Sequence, residues 1–169
     1  MKLISHIIGA FVAVARIGAG LAFAVLIAAV LLQVAGRLSG SGPVWTEELT
    51  RYALLYLVAF GAGLAFRSGD LVNVDVISES LPGRLPWILR LFSAVATAGL
   101  AVTLLAGAWR YTMIGRMQTS PALGIPMHYV HFTVWLLLAL LALFSVLRIV
   151  GMLAGTETGA PRDAAEDLS

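Results

Sequence analysis

Apolar residues fall into four long blocks along this chain, separated by short polar stretches rich in glycine and proline. The first block covers about residues 9–35 and includes IGAGLAFAVLIAAVLLQVA; the others cover about 49–66, 87–109 and 129–150. A helix needs about 20 such residues to cross the roughly 30 Å hydrocarbon core of a bilayer, where the backbone must satisfy its own hydrogen bonds. The pattern therefore predicts an all-α integral membrane domain over residues 1–150, with four transmembrane helices. No internal repeat or second domain is visible.

The stretch between the second and third blocks reads differently. In FRSGDLVNVDVISESLPGRLPW, Val74, Ile77 and Leu81 recur at helical spacing while Asn73, Asp75 and Glu79 are polar. That predicts a short amphipathic helix over about 71–81, lying in the membrane interface and ended by Pro82. The alternation in LVNVDV fits a strand equally well, but an isolated strand beside lipid would leave its backbone unpaired. Arg67, Arg84 and Arg90 around this stretch are expected to face the headgroups of membrane lipids. Residues 151–169 are small and polar, which predicts a disordered cytoplasmic tail. Ala13–Ala15 (AVA) has the look of a signal-peptidase site; the apolar run resumes after Arg16 for longer than a signal peptide allows, so the first helix is expected to stay.

Composition narrows the function classes. Hydrophobic residues make up 60% of the chain and charged residues 12%, about half the charged share usual in soluble domains. Without cysteine there is no disulfide, thiolate metal site or iron–sulfur cluster to consider. A net charge of +2, spread along the chain, does not suggest nucleic acid as a partner. With both termini inside, Lys2, Arg16, Arg67, Arg84, Arg90, Arg148 and Arg162 lie on the cytoplasmic face and Arg37, Arg51, Arg110 and Arg116 outside. That asymmetry favours cytoplasmic termini, because short cytoplasmic loops collect Lys and Arg.

The charges that remain gather in PVWTEELTRY, residues 43–52, at the outer start of the second block. Thr46 suits an N-cap, and Glu47 and Glu48 suit the first turn, where negative charge meets the positive end of the helix dipole. Glu47 and Arg51 stand four apart and can pair along one face, while Trp45 and Tyr52 suit the headgroup level. One carboxylate would cap and pair, which leaves open a contact between one of the two and a neighbouring protein. Adjacent residues on a helix point about 100° apart, so these carboxylates do not converge as a catalytic acid–base pair.

Two rival classes rest on other residues. His128 and His131, three apart at the start of the fourth block, have a spacing that can ligate a metal, which would suit the membrane anchor of a haem or quinone oxidoreductase. His6 lies at the opposite membrane face and the second and third blocks hold no histidine, so interfacial anchoring is the simpler reading of the pair. A free-standing transporter would be expected to carry a carboxylate at membrane depth. No Asp, Glu, Lys or Arg occupies the middle of any span; Gln33 lies near an outer end, and Thr97 and Thr103 can hydrogen-bond within their own helix. Small residues instead suggest close helix packing: Gly18, Gly20, Ala22 and Ala24 in the first block, Gly61, Gly63 and Ala65 in the second, and Ala94, Ala98 and Gly99 in the third.

Over Gln33 to Ile77 the chain resembles the small membrane subunit of tripartite ATP-independent periplasmic (TRAP) transporters, the DctQ-type family. The resemblance is carried by Arg37, by W-x-E-E-x-x-R (Trp45, Glu47, Glu48, Arg51), by Gly61, and by Arg67, Gly69, Val72, Val74 and Asp75. Asp70 departs from the family, whose members commonly have His there. The resemblance implies a subunit of the bacterial inner membrane with no catalytic site and no cofactor. Its partners would be a large multi-span TRAP membrane subunit, which moves substrate and sodium ions in symport, and a periplasmic substrate-binding protein that delivers an organic acid. Arg37, Trp45, Glu47, Glu48, Arg51, Gly61, Arg67 and Asp75 would then anchor helices or contact those partners.

Overall fold

In a computed structural model, the described residues are 2–68 and 85–155, with side chains from residue 8 onward. Helix α1 spans Lys2–Leu38, α2 Trp45–Ser68, α3 Leu85–Ile114 and α4 His128–Leu153, with one 3₁₀ turn at Gly115–Met117. All four α-helices are long and apolar enough to cross a membrane. The expected interfacial helix over 71–81 lies outside the described residues, as do Asp70, Asp75 and residues 156–169.

Every helix is longer than its apolar block. Helix α2 begins at Trp45 rather than near 49 because WTEE forms its first turn, and α4 runs to Leu153, past the point where the tail was expected to start. Apolar counting finds the part of a helix that sits in hydrocarbon, whereas the hydrogen-bonded backbone continues into the interface. Helix α1, at 37 residues, is about 55 Å long. That exceeds the hydrocarbon thickness, so α1 tilts or projects from it.

Helix α1 packs on α2, α2 on α4, and α4 on α3, while the remaining helix pairs barely meet. The lateral order is thus α1–α2–α4–α3, an open row rather than a closed bundle. Its interior is built mainly from alanine: Ala15, Ala29, Ala59, Ala94 and Ala101 are all at most 2% exposed. Lipid tails are as apolar as leucine, so helices associate where small residues let their backbones approach. Gly63 is the clearest case, since a Cβ there would lie 2.9 Å from Leu140 Cβ and 3.2 Å from the Phe144 ring. Gly18 lies under the Phe60 ring, at 2.6–2.8 Å from an added Cβ. Gly20, Gly61 and Gly99 have nothing within 4 Å of that position, so only some of the expected small-residue contacts are used within the chain.

An apolar cluster toward the end of the row that carries the helix α1 start joins Val12, Ala15, Phe66, Ala94 and Phe144. Beside it Arg148 is buried, at 6% exposure. Its Nη1 donates to the Phe66 carbonyl at 3.1 Å, and its guanidinium lies 5.6 Å from the Phe66 ring centre. That carbonyl belongs to the last turn of α2, where backbone acceptors lack helical partners and the helix dipole is negative. An arginine from α4 thus closes the end of α2.

Candidate anchoring site at the start of the second helix

Helix α1 ends at Leu38, and Gly40 follows in the left-handed region at φ +74°, a conformation open to glycine without a Cβ penalty. The chain then returns through Pro43 into α2. Thr46 is fully buried, but it is not the expected N-cap. Its hydroxyl donates to the Pro43 carbonyl at 2.6 Å instead of accepting from the first turn, so it ties the incoming loop to the helix.

The two adjacent glutamates face different elements. Glu47 Oε1 accepts from Arg37 Nη2 at 3.0 Å and from Gln33 Nε2 at 3.4 Å. Gln33 and Arg37 are one turn apart on α1, so Glu47 joins the end of α1 to the start of α2. The expected Glu47–Arg51 pair is replaced by this one. Arg37 and Glu47 are 68% and 52% exposed, and such exposed pairs contribute about 0–1 kcal/mol. The pair sets register more than it adds stability.

Glu48 points about 100° away. Its Oε1 and Oε2 accept from the backbone N–H groups of Ala122 and Leu123 at 3.2 and 3.1 Å. These amides belong to the loop between the 3₁₀ turn and α4. Within that loop Ser120 N–H donates to Ile125 O at 2.9 Å, Gly124 N–H to Ser120 O at 3.1 Å, and Met127 N–H to Gln118 O at 2.9 Å. Two further turns of α2 continue the contact. Tyr52 Oη lies 3.5 Å from Met127 Sδ, and Tyr56 Oη donates to Tyr129 O at 2.7 Å. Glu48, Tyr52 and Tyr56, each four residues apart, form one stripe that holds the loop and the first turn of α4 against α2.

The second carboxylate is therefore engaged inside the chain. Arg51 is exposed. Trp45 is 38% exposed at the same end of the row. Gly61 sits midway along α2, half-buried and with open space beyond it. Arg67 lies at the far end, where it lines a hollow with Arg16. The motif residues thus form one cluster (Arg37, Trp45, Glu47, Glu48, Arg51) and two separate positions, not a single pocket.

The histidine pair is built into helix packing. His131 is 8% exposed, with Nδ1 3.2 Å from Tyr111 O and its ring stacked 4.1 Å from that of Tyr111. A Cβ on Gly115 would lie 2.7 Å from both His131 Nδ1 and the His128 backbone N, so the 3₁₀ turn approaches α4 there as only glycine can. His128 stacks on its neighbour Tyr129 at 4.0 Å. Among the described residues, no three His, Cys, Asp or Glu side chains are grouped so as to hold a metal ion.

Sequence reasoning missed Tyr56, Gly115, Arg148 and the loop around Leu123. The Glu48–Tyr52–Tyr56 spacing was available as a signal, and Pro121, Gly124 and Pro126 mark the loop as a built turn. Nothing in the sequence separates Arg148 from the other arginines near helix ends.

Comparison with known proteins agrees with this layout. Residues 26–155 match the DctQ component of tripartite ATP-independent periplasmic transporters. The chain is 31% identical over 96 residues to the isethionate TRAP transporter permease protein DctMQ of Oleidesulfovibrio alaskensis, covering 54% of this chain and 14% of that protein. It is 28% identical over 92 residues to a putative TRAP transporter small permease protein of Haemophilus influenzae, covering 54% of this chain and 57% of that protein. The matches thus span well under two thirds of either relative. With four membrane-crossing helices and a family match over most of its length, the chain belongs to the DctQ family of TRAP transporter membrane components.

Proposed function

We propose that this chain is the small scaffold subunit of a TRAP-type secondary transporter, without catalytic activity of its own. It packs against a large membrane subunit, sits in the bacterial inner membrane with both termini cytoplasmic, and turns its Trp45–Arg51 end toward the periplasm. There it helps to seat the substrate-binding protein during ion-driven uptake of an organic acid. The observation that carries this reading is the open row of helices, which leaves α1 and α3 each without a neighbour on one side. A subunit that completes a larger membrane assembly has use for such faces. The matched relative named DctMQ, in which the region of similarity makes up only 14% of the polypeptide, supports a place for this module beside a larger one. Among the described residues of the four helices the acidic side chains are Glu47 and Glu48, in the first turn of α2, so none of these helices carries a mid-span carboxylate to couple transport.

In this assignment Arg37, Trp45, Glu47, Glu48 and Arg51 hold the outer end of α2, and Arg51 and Trp45 are the members free to face a second protein. Gly61 offers a close approach to a helix of the large subunit. The test is purification of the tagged chain from its host in mild detergent, followed by uptake measurements in reconstituted vesicles. A much larger membrane protein accompanies the chain, and Arg51→Glu lowers uptake while the complex stays assembled. A chain that purifies alone and transports solute unaided would refute the scaffold role.

A further inference from the structure

An open groove of about 450 Å³ lies between α1 and α2, lined by Leu21 and Val25 from α1, Tyr52 and Tyr56 from α2, and Leu123 and Ile125 from the loop above. Its volume falls in the range of small-molecule sites. Both tyrosine hydroxyls are turned out of it, one toward Met127 Sδ and the other onto the Tyr129 carbonyl. What remains is the apolar body of each ring, so the groove presents hydrocarbon throughout.

Its depth discriminates among occupants. Along α2 the lining runs from Leu49 to Phe60, a rise of about 16 Å, which is about half the hydrocarbon thickness and thus one leaflet. At the inner end the Phe60 ring lies over Gly18, with 2.6–2.8 Å to an added Cβ, and the two helices shut the groove. A helix crossing the whole bilayer would lose contact at that point, whereas a lipid tail ends there. At the outer end Leu123 and Ile125 overhang the groove from the loop that Glu48 holds by two backbone N–H groups.

We infer that this groove holds an acyl chain of a phospholipid from the leaflet at the Trp45 end, as a bound lipid distinct from the exchanging annulus. The inference rests on the membrane crossing and not on the transporter role. The loop forms a lid over the tail, and the clasp by Glu48 keeps that lid in place. Phe92 and Leu100 on α3, 71% and 63% exposed, line neither this groove nor the hollow at Arg16 and serve as the comparison.

The test places the full chain, with whatever proteins accompany it, in nanodiscs of phosphatidylethanolamine and phosphatidylglycerol. A fraction of the phosphatidylethanolamine carries a diazirine on its acyl chain, and the adducts are mapped by mass spectrometry after illumination. Adducts on the Leu21–Val25 and Tyr52–Tyr56 segments are expected to exceed those around Phe92 and Leu100 several-fold per residue. Val25→Trp and, separately, Leu21→Trp fill the groove and bring its labelling down to the α3 level. The inference fails if groove labelling in the unaltered chain equals that of α3, or if neither tryptophan reduces it. It fails equally if a photoreactive amino acid placed at Leu21 or Val25 cross-links to an accompanying protein in place of lipid. Should one tryptophan variant not fold, the other variant and the contrast within the unaltered chain decide the outcome.

Discussion

Two glycines on α2, two residues apart, give a sharp test of how this protein is packed. Adding one methyl group at Gly63 places a Cβ 2.9 Å from Leu140 Cβ and 3.2 Å from two atoms of the Phe144 ring, where ordinary contact begins at 3.4 Å. Leu140 Cβ is the root of its side chain and cannot swing aside, so α2 and α4 must part by about half an ångström over a tightly packed interface. Overpacking of this kind costs about 1–3 kcal/mol. Alanine recovers part of that, because glycine in a helix is about 0.5–1 kcal/mol less favourable. At Gly61 the same methyl meets nothing within 4 Å, so only the favourable contribution remains. Gly63→Ala should therefore lose about 1–2 kcal/mol and Gly61→Ala should hold steady or gain slightly, both measured as unfolding of the purified chain in mixed detergent micelles titrated with dodecyl sulfate and followed by circular dichroism. Equal effects at the two positions, or a neutral Gly63→Ala, would mean that α2 and α4 do not meet at Gly63, and the lateral order of the row would fall with it.

Three further predictions concern the ends of the row. Glu48→Ala removes the acceptor for two loop amides, so Ala122 and Leu123 should exchange their N–H protons faster by mass spectrometry, while Glu47→Ala leaves them unchanged and loosens only the end of α1. Tyr56→Phe removes a hydrogen bond to the Tyr129 carbonyl and should cost about 0.5–1.5 kcal/mol in the same unfolding titration. Arg148→Met leaves the Phe66 carbonyl without this donor in a buried site. The expected loss is about 1–3 kcal/mol, with faster exchange confined to the last turn of α2.

Much of this architecture is legible in the amino-acid order because lipid is a demanding solvent. Four apolar blocks admit little besides four helices when each backbone group must be paired within its own segment, and the helices lie where the blocks do. Their ends were harder to read. Helix α2 starts through the polar Thr46, Glu47 and Glu48 and α4 continues past Gly151, and hydropathy carries no signal for hydrogen bonds that persist into the interface. Side-chain partners were harder still. Glu47 has two cationic candidates, Arg51 four residues ahead and Arg37 ten residues back. Only the turn at Gly40, which folds α1 against α2, selects the second. The lateral order α1–α2–α4–α3 was invisible, because close contacts at Gly63 and open space at Gly61 arise from residues of one kind in one helix.

The adjacent glutamates show how local chemistry serves this open arrangement. A helix in a row has neighbours on two sides, and consecutive residues on its first turn point in directions about 100° apart. One carboxylate can then reach each neighbour: Glu47 takes the end of α1 through Arg37, and Glu48 takes the loop that enters α4. At the far end of the same helix Arg148 closes the last turn from α4. Helix α2 is thereby fixed at both ends by polar contacts in a molecule whose middle packs through small and apolar side chains. Small-residue packing fixes distance but specifies sliding along the helix axis poorly, since one smooth surface fits another at several offsets. Polar contacts at the ends supply that missing register, and they do so without placing a carboxylate in the hydrocarbon. A substitution that preserves every apolar contact but breaks both ends, such as Glu48→Ala combined with Arg148→Met, should therefore shift α2 along α4 before it unfolds the row, and disulfide cross-linking between cysteines introduced at Ala59 and on the facing turn of α4 would register the shift.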